Sequence, residues 1–197
     1  VEPVARTMPG EPRIAALAET AVRKREAARE QAIACLRAPD YGRALLLTMT
    51  ALNTLPQSDP CPDVDLPGFV KHRIARLHRK VLQLAQLADI ADPSSLHRLR
   101  IGVKRLRYAL EFFAPLLQAR CTTALTKRLA ALQDTLAQLN DLANAGALLM
   151  DCAGERPDLR EAVSLIGGWH AQRHAQLLGK VPRAITKLQA MPLPKLH

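Results

Sequence analysis

Apolar residues recur along most of this chain at three- and four-residue intervals, the spacing that lays a hydrophobic stripe along an α-helix, and strand-like alternation is absent. Pro3, Pro9, Gly10 and Pro12 make the first dozen residues a poor helix. Glu11 to Leu36 then reads as a helix with Leu17, Val22, Ile33 and Leu36 among its apolar positions. Pro39 and Asp40 end it and open a short apolar helix over Tyr41 to Leu55. Pro56 to Pro67 is a loop rich in Pro and Asp and is read as a boundary between structural units.

Beyond it, Leu66 to Ile90 is a long basic helix, and Asp92 with Pro93 forms a start signal for a helix to about Arg120. Thr122 or Thr123 is the cap expected for the next, whose Leu125, Leu129, Leu132, Leu136, Leu139, Leu142 and Leu149 make a bundle seam. Gly154 and Pro157 break the chain. Asp158 to Gln189 is the last helix, with Gly167-Gly168 or Pro182 as the place where it could be interrupted, and Met191 to His197 is expected to fray. The predicted fold is all-α: an antiparallel four-helix bundle over residues 61–197, preceded over 1–60 by a helical hairpin that belongs to another unit.

Composition bounds this reading. A chain of 197 residues that is 48% hydrophobic can bury a core, which argues against disorder. No apolar run approaches the roughly 20 residues of a membrane span, and the N-terminus lacks the basic-then-apolar order of a signal peptide, so a cytoplasmic protein is expected. Cys35, Cys61, Cys121 and Cys152 are far apart, which disfavours a zinc ribbon or a thioredoxin-like site. The net charge of +10 favours a polyanionic partner: nucleic acid, polyphosphate, an anionic membrane or an acidic protein.

The charge is patterned. At roughly 100° per residue, His97, Arg100, Lys104, Arg107, Tyr108 and Glu111 fall within one arc, beside an apolar arc of Leu99, Val103, Leu106 and Leu110. Cations at i, i+3 and i+4 repel one another, Glu111 alone offsets them, and Gly102 adds a helix cost of about 1 kcal/mol. On the preceding helix His72, Arg76 and Arg79 share a face, with Arg73 and Lys80 at its edge. Each stripe alone reads as a solvated surface; two on consecutive helices suggest a basic groove.

These residues also carry a resemblance. His97-x-x-Arg100-x-x-x-Lys104-Arg105-Leu106-Arg107-Tyr108-x-x-Glu111-Phe112 resembles the signature of the CHAD family, the conserved-histidine α-helical domain. Leu132-Gln133-Asp134-x-Leu136-x-x-Leu139-Asn140-Asp141 resembles the family's next helix, and the likeness runs over roughly Leu66 to Leu188. The resemblance implies two similar four-helix units about a pseudo-two-fold and a basic surface that binds inorganic polyphosphate. It also implies a domain that often follows a triphosphate-hydrolysing CYTH domain, or stands alone and associates with polyphosphate granules. Val22 to Glu30 offers Arg23, Lys24, Arg25 and Arg29 but no first-unit motif, so the chain is expected to begin partway through a longer protein.

Polyphosphate is a flexible polyanion without bases. Arg offers it bidentate donors and Lys a point charge, whereas readers of single-stranded nucleic acid add aromatic platforms. With only six aromatic residues in the chain, nucleic acid is the less favoured partner, and no membrane partner is expected. The candidate polyphosphate-binding residues are His97, Arg100, Lys104, Arg105, Arg107 and Tyr108, with Arg73, Arg76, Arg79 and Lys80 as a second row and Lys127 and Arg128 as extensions. Glu111, Asp134 and Asp141 are candidate supporting carboxylates, Asp134 and Asp141 pairing with Arg100, Lys104 or Arg107. A Mg²⁺-dependent phosphohydrolase using these two aspartates is the less favoured reading, and a nucleic-acid or protein interaction module a further alternative. His170 and His174 are spaced for a metal, but no matching Cys or carboxylate accompanies them, so no metal, cofactor or catalytic residue is assigned.

Overall fold

The structure, a computed structural model, describes residues 2–55 and 65–196. Seven α-helices and one 3-10 turn occur among them, in the order α1 Glu2–Thr7, α2 Pro12–Arg37, α3 Pro39–Asn53, α4 Leu66–Gln86, α5 Pro93–Phe112, the turn Ala114–Leu116, α6 Ala119–Ala153 and α7 Pro157–Gln189. The fold is all-α, as the periodicity predicts. Most of the breaker-rich loop, with Cys61, lies outside the described residues.

The chain packs as two compact units, Val1–Val64 with Leu148–Ile166 and Asp65–Ala147 with Gly167–His197. The core of the first comes from Val4, Ile14, Leu17, Ala153, Leu159, Ala162 and Ile166. Of the apolar positions read on α2, Leu17 is buried, whereas Val22, Ile33 and Leu36 are exposed. On α3 no residue is buried, and Leu45, Leu46, Leu47, Met49 and Leu52 face solvent. The N-terminal residues form a short helix despite their prolines, because Pro3 falls in its first turn, where its missing N–H has no partner to lose.

The second unit is the four-helix bundle. Val70, Ile74 and Val81 of α4, Leu99, Val103, Leu106 and Leu110 of α5, the α6 seam Leu125 to Leu139, and Leu177, Val181 and Leu188 of α7 close into one core. Asp92 caps α5, its carboxylate accepting from Ser94 N at 2.9 Å and Ser95 N at 3.0 Å. Gly102 explains itself here. A Cβ at this position would lie 2.9 Å from Leu84 Cδ1 and 3.6 Å from Val81 Cγ2, so the glycine is what allows α4 to approach α5 so closely.

Several boundaries differ from the sequence reading. The α5 helix stops at Phe112 instead of Arg120, because Pro115 cannot donate a backbone hydrogen bond and disfavours helical geometry at Ala114. Thr122 is not a cap: α6 has begun at Ala119, and the buried Thr122 hydroxyl donates to Gln118 O at 2.9 Å. No interruption occurs at Gly167-Gly168 or Pro182; α7 is continuous. The break after α6 is as expected, with Gly154 in the left-handed region at φ 55°. The described C-terminal residues, Met191 to Leu196, pack against the bundle instead of fraying. Gln118 N donates to Lys195 O at 2.9 Å, and Met191, Leu193 and Leu196 cover the end of the core.

Candidate polyanion-binding surface

Charge is partitioned between the two units. The first holds 10 Lys and Arg against 12 Asp and Glu; the second holds 18 Lys and Arg against six Asp and Glu. All of the net positive charge therefore resides in the second. Pairing follows the same division. In the first unit Arg13 holds Glu11 at 2.6 Å and also bonds Glu161, Lys24 meets Asp151 at 2.5 Å, Arg156 meets Asp158 at 2.6 Å and Arg160 meets Glu155 at 3.0 Å. The Arg13 guanidinium pulls the Glu11 carboxyl down to about 2.

In the second unit, among the described residues, the ion pairs are Arg98 with Asp92 at 3.9 Å and Arg107 with Glu111 at 3.7 Å, both longer than a hydrogen bond. Arg73, Arg76, Arg79, Lys80, Arg100, Lys104, Arg105, Lys127 and Arg128 make no ion pair with a described residue. This is not the composition of an ordinary solvated face.

The close approach of α4 and α5 places Arg73, Arg76, Arg79 and Lys80 alongside Arg105, and with Leu77 and Gln83 they line a groove of about 520 Å³. Arg98, seven residues before Arg105, shares its side of α5 and lies 3.9 Å from Asp92, but the other α5 cations point elsewhere. At 100° per residue, Arg105 and Arg100 diverge by roughly 140° around the helix. His97, Arg100, Lys104 and Arg107 thus occupy the flank facing α6, where His97 Nδ1 lies 3.0 Å from Asn140 Oδ1. The two rows flank α5 and are joined across its exposed face by Lys104, Tyr108 and Arg105. Both Lys104 and Arg107 lie over the Tyr108 ring, at 5.5 Å and 5.2 Å from its centroid.

Polar atoms on the α6-facing flank are incompletely satisfied. The Nε atoms of Arg100 and Arg107 and Gln133 Oε1 are buried without a hydrogen-bond partner among the described residues. Gln133 and Asn140, seven residues apart, share the face of α6 toward α5. The aspartates do not take the role expected of them. Asp134 and Asp141 are exposed, about 100° around α6 from Asn140, and neither pairs with Arg100, Lys104 or Arg107. Their place is taken by Asn140, a neutral side chain that reaches His97 without neutralising a cation. Glu111 does face Arg107.

Lys127 and Arg128 are exposed on the first half of α6. On α7, His174 borders a small hollow beside His97 and Asn140, whereas His170 is partly buried, its Nδ1 unpartnered and its imidazole shifted below the ordinary value by burial. Among the described residues no three His, Cys, Asp or Glu side chains gather in a metal-binding arrangement. No described helix is long and apolar enough to cross a membrane.

Two features escaped the sequence reading: the His97–Asn140 contact, for which the Asn-Asp pair was the available signal, and the exposure of Phe69 and Phe112, 55% and 78%. Helical phase places Phe112 near the polar arc, but a Phe-Phe pair at a helix end reads as core.

Residues 1–150 match the family model described as the CHAD domain. The chain belongs to the CHAD family. The match takes in the N-terminal helices, beyond the stretch that carries the sequence resemblance. The crystal structure of the CHAD domain from the plant Ricinus communis is similar to this CHAD chain, with 36% identity and a TM-score of 0.71 over 87% of the chain. The chain spans 58% of the length of that plant structure. No curated protein matches it.

Proposed function

We propose that this CHAD chain binds inorganic polyphosphate, or a closely similar base-free polyanion, without turning it over. The observation that supports the reading most is the contrast in pairing: six cations of the first unit, Arg13, Lys24, Arg25, Arg29, Arg156 and Arg160, meet carboxylates, while in the second unit's two rows only Arg107 does, at 3.7 Å from Glu111. Crowded like charges destabilise the free protein, and an anion that spans several of them relieves the repulsion. Rows spaced by helical turns on both flanks of α5 suit a flexible strand bearing one charge per phosphate. The exposed position of Asp134 and Asp141, away from the His97–Asn140 contact, favours binding over metal-assisted hydrolysis.

The test compares two charge-removing variants of equal size. Arg76→Gln with Arg105→Gln should weaken long-chain polyphosphate binding at least tenfold, whereas Arg156→Gln with Arg160→Gln, in the acid-paired unit, should leave it unchanged. Equal losses in both would show that net charge, not this surface, governs binding. Divalent-dependent hydrolysis of tripolyphosphate that disappears with Asp134→Ala would replace the binding reading with a catalytic one.

A further inference from the structure

All three phenylalanines of the chain and one of its two tyrosines gather at one end of the α4–α5 face. Phe69, Tyr108, Phe112 and Phe113 line a hollow of about 760 Å³. Phe113 holds its neighbours edge-on, with ring centroids 6.3 Å from Phe69 at 75° and 4.9 Å from Phe112 at 88°. Phe69 and Phe112 are nevertheless more than half exposed, a costly disposition for large apolar rings unless something covers them. The hollow is continuous with the basic groove, because Arg73, Leu77 and Arg105 line both.

We infer that this face takes a nucleoside polyphosphate, its base on the Phe69–Phe112 platform and its phosphates on Arg73 and Arg105. An anionic occupant suits the two arginines, neither of which has an acid partner among the described residues, and one that carries a ring gains the phenylalanine platform that bare polyphosphate, bound along the same groove, leaves uncovered. It carries one ring system only. Beyond Leu77 the groove is lined by Arg76, Arg79, Lys80 and Gln83 with no aromatic residue, whereas a nucleic-acid strand needs platforms for successive bases. A hollow suits an inserted ring better than the plane of a bilayer does. The proposal rests on the reading that the α4 row binds phosphates.

The test is calorimetric titration of the chain with ATP, inorganic triphosphate and long-chain polyphosphate at one salt concentration in the presence of EDTA. ATP carries no more charge than triphosphate, so tighter binding must come from the nucleoside. ATP should bind about tenfold more tightly than triphosphate. Phe112→Ala and Phe69→Ala should each abolish that advantage and leave triphosphate and polyphosphate affinity unchanged, with helicity checked by circular dichroism. If polyphosphate binds and ATP does no better than triphosphate, the base platform is wrong and the phosphate row stands; if none of the three binds, both fall. A single-stranded oligonucleotide that outcompetes ATP, or anionic vesicles whose capture alone is lost in Phe112→Ala, would likewise overturn the proposal.

Discussion

His97 Nδ1 and Asn140 Oδ1 lie 3.0 Å apart and tie the cationic flank of α5 to α6. Because the amide oxygen can only accept, Nδ1 donates, and the imidazole is held with Nε2 free of that contact. The contact makes Asn140 a positioning residue. His97→Ala should weaken polyphosphate binding about threefold, the worth of one modest hydrogen bond, and Asn140→Ala should do nearly the same. The double variant should be little worse than either; additive losses in this cycle would show that the two side chains act independently.

The unpaired α4 row predicts steep salt dependence. Each phosphate contact releases counterions, so the plot of log affinity against log salt should flatten by about 0.7 for each cation lost, if polyphosphate behaves as a single strand does. Arg76→Gln should produce that change, and Lys24→Gln, paired with Asp151 in the first unit, should not. Affinities measured by fluorescence anisotropy between 50 and 300 mM salt would check it; parallel slopes would count against the assignment.

The Gly102 position predicts an asymmetric response. Alanine gains about 1 kcal/mol of helix propensity but pushes on the movable tip of Leu84, so Gly102→Ala should stay within about 1 kcal/mol of the parent. Gly102→Leu should overpack the α4–α5 contact and destabilise by about 1 to 3 kcal/mol, and it should also weaken polyphosphate binding by spreading the groove. Urea unfolding and one binding isotherm would check both effects.

Stability should fall on mild acidification. Burial pushes the His78 imidazole below its ordinary value of 6.5, and its Nε2 has no described partner. The folded protein therefore resists the proton that the unfolded chain takes up, so the stabilising difference is complete above about pH 6.5 and lost as the pH falls toward the lowered folded value. Urea midpoints at several pH values should show this decline, and His78→Gln should flatten it. An identical pH profile in the variant would contradict the assignment.

Much of this was legible in the sequence because it depends on local chemistry. The Asp92-Pro93 cap and the Gly154 break act within one turn and appear where the spacing puts them, and the leucine seam holds from Leu125 to Leu142, whereas Leu149 packs against the core of the first unit. The misread boundaries also have local causes, chiefly Pro115, whose effect falls on the residues before it. The arrangement of cations was less legible. Helical phase places Arg105 and Arg100 on different flanks of α5, but which flank meets α4 is decided by packing at Gly102, and the partner of His97 by which α6 residue faces it. The sequence points to Asp134 and Asp141 as partners of the α5 cations; the side chain that reaches α5 is the neutral amide of Asn140, which leaves the positive field intact.

The most direct measurement is a titration with polyphosphates of graded length at constant salt and constant phosphate concentration. The α4–α5 groove and the α6-facing row offer many separated cations to one strand, so affinity should rise with chain length from orthophosphate upward until both rows are spanned. It should then level off, and Arg100→Ala with Lys104→Ala should shift that plateau to a shorter chain. Affinity indifferent to chain length would contradict the account.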